Sequence, residues 1–275
     1  MHNNSPIGVF DSGFGGLTIL KDIKRELPQY EYIYLGDNAR APYGNRSFET
    51  VYEYTLQAVK WFFSKGCNLV ILACNTASAK ALRSIQQNEL QHLDSEKRVL
   101  GVIRPTSEII GNLSSSKNIG ILGTSGTVNS GSYLIEIEKF YPQVNLFQHA
   151  CPMWVPLIEN NEYNNDGADY FIKKDLNLLM KQSADIDTIL LACTHYPLLI
   201  EKIRNFIPAG IKIVSQGPII AESLKDYLQR HKKMEISLSQ RAGIQFFTTD
   251  DPGVFDKQAV TFFDQLVSSS HVDIN

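Results

Sequence analysis

Four cysteines, Cys67, Cys74, Cys151 and Cys193, are the side chains whose surroundings first suggest chemistry in this chain. No two form a C-x-x-C pair and no histidine stands at zinc-finger spacing from any of them, so a structural zinc site is not expected. In a reducing compartment each is either a small buried hydrophobe or a reactive thiol. Local sequence separates them. Cys74, in NLVILACNTASA, and Cys193, in DTILLACTHYPL, each follow an apolar β-type run and open a polar turn that leads toward a helix. There, unpaired N–H groups and the positive end of the helix dipole favour a thiolate, which lowers a thiol pKa from about 8.5 toward neutrality. Cys67 follows Gly66 and precedes its strand, and Cys151 lies in ACPMWVP; both read as packing. Two matched thiols facing one another suit proton transfer on opposite faces of one carbon, one acting as thiolate base and the other as thiol acid. That is the chemistry of racemisation or epimerisation.

Such a pair must be placed by strands. Short β-rich runs alternate with segments of helical period, the pattern of an α/β protein with a largely parallel sheet. Ile7–Phe10 reads as a strand, followed by a helix through Leu17, Leu20, Ile23 and Leu27 that stops at Pro28. A strand over Glu31–Leu35 and a helix from Ser47 as N-cap to the neighbourhood of Gly66 follow. Leu69–Ala73 is a third strand, Thr76–Leu90 an Ala-rich helix, and Val99–Val102 a fourth strand. The pattern then restarts: strand Asn118–Leu122, helix Gly131–Tyr141, strand Val144–Phe147, helix Ala168–Met180, strand Thr188–Leu191 and helix Leu198–Phe206. IGVFDSGFGG is echoed by IGILGTSGTV, and NLVILACNTASA by DTILLACTHYPL, in the same order and at similar separation. Two echoes, each joining a strand end to a polar turn, indicate an internal duplication. Asp11, Ser12, Asp37, Cys74, Thr124 and Cys193 all fall at or just after strand ends, where ligands gather in open α/β sheets.

Composition narrows the partners. The chain has 275 residues, 26 basic and 29 acidic side chains and a net charge of −3, so neither nucleic acid nor an anionic membrane is an expected partner. The apolar runs fall short of the roughly 18–20 residues of a membrane helix. MHNNSPIGVF shows neither basic n-region nor apolar h-region, so a cytoplasmic location is expected.

DSGFGGLTIL, YLGDNARAPYGNRS, LACNTASA, GVIRP, GTSGTV and LACTHYPLL, in this order over nearly the whole chain, resemble the aspartate/glutamate racemase family, and within it the branch acting on glutamate. The resemblance implies a fold of two pseudo-symmetric α/β lobes with mainly parallel sheets and the active site in the cleft between them. The C-terminal segment returns to the first lobe, so residues 1–102 plus 216–275 would form one lobe and residues 103–215 the other. It implies a cofactor-independent interconversion of L- and D-glutamate that supplies peptidoglycan, and with it cell-wall biogenesis and cell shape, in a cytoplasmic homodimer. Matched residue by residue, Cys74 and Cys193 become the acid/base thiols. Asp11 is the carboxylate beside one, His195 the imidazole beside the other, and Glu159 a further assisting carboxylate. Ser12, Tyr43, Gly44, Asn75, Thr76, Thr124, Thr127 and Thr194, with Asp11 and His195, match positions that hold the substrate's amino and carboxylate groups; no metal ligand is implied. Thr106, where a small residue is usual, Arg104, VSQGPIIAES and TTDDPGVF depart from the pattern.

Blander readings accompany these. GFGG at Gly13–Gly16 lacks a dinucleotide fingerprint because Thr18 occupies the third glycine position, and it reads as a tight turn. GTSGTVNSG has no following lysine of the P-loop kind. Tyr52, Tyr54, Trp61, Phe62 and Phe63 read as core or interface aromatics, and Arg230–Lys233 as a solvated basic face. The residues by themselves leave open a racemase of aspartate, another amino acid or a hydantoin, and a two-lobed binder that performs no chemistry.

Overall fold

The computed structural model describes residues 4–94 and 96–274; residues 1–3, part of the stretch read as free of an export signal, lie outside the described residues, as do 95 and 275. β1 (Ile7–Asp11) is buried throughout, as expected of a central strand covered on both faces. α1 (Gly16–Glu26) turns Leu17, Leu20 and Ile23 inward and ends with Lys24 and Arg25 at its negative pole. β2 (Glu31–Gly36) and α2 (Phe48–Ser64) follow; Ser47 caps α2 by accepting from the Thr50 N–H, and Gly66 beyond its end takes φ +85°. β3 (Leu69–Leu72) and β4 (Arg98–Gly101) complete this part of the sheet.

The Ala-rich stretch between β3 and β4 is not the single helix its composition predicts. The chain forms α3 (Asn75–Lys80), α4 (Leu82–Ser84), a π-helical turn over Ile85–Glu89 and α5 (Leu90–Leu93). Two anchors on different strands account for the break. Ser78 Oγ donates to the Leu72 carbonyl at the end of β3, while Gln86 Nε2 donates to the Val99 carbonyl in β4, and the helix bends between them.

α6 (Ile103–Leu113) leads to a second unit: β5 (Asn118–Gly123), α7 (Ser125–Asn129), α8 (Ser132–Phe140), β6 (Asn145–Ala150), α9 (Trp154–Glu159), α10 (Asp166–Met180), β7 (Thr188–Ala192), α11 (Ile200–Phe206) and β8 (Lys212–Val214). β6 runs three residues beyond the predicted strand, to Ala150, and carries His149. The chain then returns through α12 (Gly217–Arg230) and α13 (Lys232–Ser237) to β9 (Gly243–Thr248), α14 (Pro252–Phe263) and β10 (Ser269–His271).

Every paired strand is parallel, in two sheets ordered β10-β9-β2-β1-β3-β4 and β6-β5-β7-β8. The run β2-β1-β3-β4 of the larger sheet therefore has the order of the whole smaller one. β1 corresponds to β5 and β3 to β7, the strands joined by the sequence echoes. The C-terminal strands β9 and β10 extend the larger sheet beyond β2, and α12 packs on α1. Among the described residues no helix is long and apolar enough to cross a membrane.

Candidate active site

Equivalent strand ends bring the two thiols into one cleft. Cys74 follows β3 and is the N-cap of α3, where its Sγ accepts from the Ala77 N–H at 3.5 Å while its S–H donates to Ser12 Oγ at 3.5 Å. Asp11, at the end of β1, is 1% exposed, and its Oδ2 accepts from the Gly13 N–H at 2.9 Å. Burial pushes the Asp11 carboxyl above the usual carboxylate range, against the opposing pull of the His195 charge and of the Gly13 and Gly16 N–H groups. Burial and then the Asp11 charge push the Cys74 thiol up to about 12, which its contacts with Ser12 and Ala77 only partly offset. The helix-start effect predicted to bring Cys74 toward neutrality is thus overridden, because a six-residue helix end is weaker than burial beside a carboxylate.

Cys193 has a different setting. It follows β7, but the next element is a 3₁₀ turn over Tyr196–Leu199, so it does not open the α-helix the sequence predicts. His195 takes that place. Its Nδ1 lies 3.9 Å from Cys193 Sγ and its Nε2 2.9 Å from Glu159 Oε1, giving a thiol, imidazole and carboxylate in series. Burial alone would lower the His195 pKa; hydrogen bonds to Cys193 and Glu159, together with their charges, outweigh it and raise it to about 10. The ring also stands edge-on to Phe262 of α14, with centroids 5.2 Å apart.

The two units touch where the predicted polar residues lie. Thr76 Oγ1 is 2.9 Å from Thr124 Oγ1, which caps α7 by accepting from the Thr127 N–H. The Gly126 N–H donates to the Gly44 carbonyl at 2.8 Å, and Thr18 Oγ1 donates to the Thr194 carbonyl at 3.0 Å. Thr194 Oγ1 in turn reaches Asp11 Oδ1 at 3.5 Å. Ser12, Tyr43, Gly44, Asn75, Thr76, Thr124, Glu159 and Thr194 line the cleft together with Cys74, Cys193 and His195. Asp11 and Thr127 stand behind that wall. The Tyr43 hydroxyl turns away to donate to Asp37, which also pairs with Arg40, so Tyr43 offers the cleft no free hydroxyl.

Two features escape the motifs, and a third, within one of them, gains its reason only from the fold. Gln216, where the chain leaves the second unit, is 2% exposed; its Oε1 accepts from Asn75 Nδ2 at 2.6 Å and its Nε2 donates to Tyr133, Thr106 and the Val102 carbonyl. Tyr133 donates to Asn75 Oδ1 at 2.7 Å, so the Asn75 amide is held at both ends. Thr106, a departure from the expected small residue, is one of these partners. A Cβ on Gly15 would stand 2.2 Å from Thr194 Oγ1 and 2.4 Å from His195 Nδ1, so the GFGG turn needs glycine there for close interlobe approach. Phe262 is the other feature outside the motifs. Gln216 and Phe262 lie far in sequence from the residues they serve, whereas Gly15 stands within the GFGG turn and only its distant neighbours Thr194 and His195 explain the glycine; Thr106 and the VSQGPIIAES stretch that holds Gln216 are both departures from the family pattern.

The cleft encloses about 50 Å³, well below the roughly 300 Å³ at which small-molecule pockets begin. A larger cavity of about 790 Å³ lies between α3–α5, α6, α8 and α12 and holds neither Cys74 nor Cys193. Size and chemistry disagree here, and the convergence of thiols, imidazole and carboxylates makes the smaller cleft the candidate site.

The Asp/Glu/Hydantoin racemase family model matches residues 7–224. The glutamate racemase of Streptococcus thermophilus is 35% identical over 276 aligned positions, covering 99% of this chain and 97% of that protein. That of Sulfurihydrogenibium sp. is 36% identical, covering 92% and 91% respectively. Among solved structures, a glutamate racemase isoform of Bacillus anthracis superposes with a TM-score of 0.90 at 33% identity, covering 99% of this chain and 98% of its own. The glutamate racemase of Francisella tularensis, solved in complex with D-glutamate, gives 0.87 at 29% identity, covering 100% of this chain and 99% of its own. Paired thiols on a duplicated strand order, joined to likeness over almost the full length, establish that this chain is a racemase belonging to the Asp/Glu/Hydantoin racemase family.

Proposed function

We propose that this enzyme interconverts L- and D-glutamate by two-base proton transfer at the α-carbon, without a cofactor, with Cys74 and Cys193 as the two bases. The observation that carries the reading is the pair of thiols at equivalent strand ends, β3 and β7, lining one cleft. Glutamate as substrate is supported by relatives named glutamate racemase and by the D-glutamate complex of the Francisella tularensis enzyme. In this reading residues 1–102 and 216–275 form one lobe and 103–215 the other, and the lobes part to admit substrate, since the cleft as it stands is too small.

One thiolate removes the α-proton and the opposite thiol returns one to the other face; the reverse reaction exchanges the roles. Asp11 assists Cys74. His195, oriented by Glu159, assists Cys193 by offsetting the charge of its thiolate. Ser12, Thr76, Thr124 and Thr194, with the backbone at Tyr43, Gly44 and Asn75, hold the amino and carboxylate groups, and Thr127 supports Thr124 from behind at 3.1 Å. Once the cleft closes on the substrate and excludes water, such dipoles are fixed before reaction and stabilise the carbanion-like α-carbon. We assign the D-glutamate formed to peptidoglycan synthesis, in the cytoplasm and as a homodimer.

The test is α-proton exchange in deuterium oxide with each glutamate enantiomer, followed by mass and circular dichroism. Folded, reduced enzyme without added cofactor should wash deuterium into both enantiomers and abolish the dichroism of L-glutamate. An unchanged signal would overturn the reading, and equal or better turnover of aspartate would overturn the choice of substrate.

A further inference from the structure

One group of three metal-ligating side chains converges among the described residues outside the proton-transfer pairs. His149, Cys151 and Asp175 present a ring nitrogen, a thiol sulfur and a carboxylate oxygen that all lie within 4.8 Å of one another. We propose that these three residues bind a divalent transition-metal ion of the Zn²⁺ class, with solvent in the fourth position, pinning the end of β6 to α10.

The backbone brings the three together without strain. His149, in β6, and Cys151, just past its end, are two residues apart, and alternation along an extended chain turns such residues to one face. α10 packs against β6 on that face. The inward stripe of α10 reads Ala168, Ile172, Leu176 and Leu179, and Asp175 interrupts it. A carboxylate in an apolar stripe is costly unless it is paired. Its partner is His149, whose Nε2 is 3.2 Å from Asp175 Oδ1; the Cys151 thiol stands within 4.8 Å of both and donates to the His149 carbonyl at 4.0 Å. The carboxylate is therefore paired with one metal-ligating group, the imidazole, and has a second, the thiol, beside it. One divalent ion can take the place of the imidazole contact and draw in the thiol.

The chemistry of the donor set selects the ion. Thiolate, imidazole and carboxylate together suit Zn²⁺ and its borderline neighbours rather than Mg²⁺ or Ca²⁺, which prefer oxygen alone. Tetrahedral bond lengths place such donors roughly 3.4–3.6 Å apart, so the widest pair need draw in by only about an ångström. Binding forms the sulfur–metal bond as the Cys151 proton leaves to solvent, His149 ligates through a deprotonated Nε2 as the neutral ring protonated on Nδ1, and thiolate plus carboxylate then balance the double positive charge. The His149 side chain is 21% exposed against 8% for Asp175, so the ion enters past the imidazole. Cys151 also lines the cleft, so the site braces the wall beside Cys193.

The experiment uses full-length, chelator-treated protein carrying Cys74→Ser and Cys193→Ser, so that the proton-transfer thiols contribute no signal. Titration with Co²⁺ should raise a thiolate-to-cobalt charge-transfer absorption that saturates at one ion per chain and is bleached by Zn²⁺. Cys151→Ala should abolish the band, and His149→Gln and Asp175→Asn should each weaken Co²⁺ binding at least ~10-fold. Zn²⁺ should raise the melting temperature of the parent and leave that of His149→Gln unmoved. Absence of the band, its survival in Cys151→Ala, or equal affinity in His149→Gln would overturn the site. If Asp175→Asn fails to fold, His149→Gln decides alone, because its ring is partly exposed. Racemase activity does not enter these readouts, so failure here leaves the glutamate reading standing.

Discussion

Cys74 and Cys193 end corresponding strands of sheets with the same order, yet one stands beside a carboxylate and the other beside an imidazole. On the first side burial and Asp11 hold the proton on sulfur, pushing the Cys74 thiol up to about 12. On the second side a protonated His195, raised to about 10, lies between Cys193 and Glu159. The scaffold repeats; the charge beside the sulfur does not. In the proposed reaction the two groups exchange roles, and the two sulfurs meet neighbours of opposite sign, a carboxylate at Cys74 and an imidazole at Cys193.

The largest expected effect comes from removing either sulfur. Cys74→Ser and Cys193→Ser should each lower racemisation by about 10³-fold, in the range of a lost general acid or base. Each variant should retain α-proton exchange with one enantiomer only, and with opposite enantiomers; indifference of both would break the two-base comparison. Next is Gly15→Ala, which drives a methyl group into Thr194 and His195. A displacement of about 1 Å at His195 should cost about 10²-fold in kcat/KM, and steady-state kinetics showing wild-type values would remove the interlobe turn from the mechanism.

Stability against pH separates the two sides directly. The folded pKa of His195 is raised from 6.5 to about 10, so its stabilising contribution is complete below 6.5 and is lost as pH rises through about 10. The Cys74 thiol is raised from 9.0 to about 12, so the unfolded chain ionises first and stability falls again between those values. Urea midpoints measured from pH 6 to 11 should decline. His195→Gln should flatten the lower limb and Cys74→Ser the upper one; identical profiles for both variants would contradict the assignment of distinct charges to the two sides. The smallest effect is expected at Gln216→Leu, which frees one end of the Asn75 amide. KM for glutamate should rise several-fold while kcat changes little, and a loss confined to kcat would show that Gln216 does more than position Asn75.

Much of this was legible before folding. The apolar strand runs, the helix cap at Ser47, the duplicated phrases around Cys74 and Cys193 and the adjacency of His195 to Cys193 are local signals, written in the alternation and spacing of residues. The break in the Ala-rich helix was not legible, because two strands far apart in sequence anchor it through Ser78 and Gln86. Nor was the behaviour of Cys74: sequence places it at a helix start, whereas burial and Asp11, from β1, set its proton affinity.

By itself, then, the sequence determined which chemistry-bearing side chains stand at strand ends and that the two halves repeat, since both follow from periodicity and short motifs. Tertiary structure alone decided what each thiol faces, that Gln216 and Tyr133 hold Asn75, that Gly15 must lack a side chain beside His195, and that Asp175 meets His149 and Cys151. Burial and charge at a site are sums over neighbours from many elements, and those sums exist only once the chain has folded.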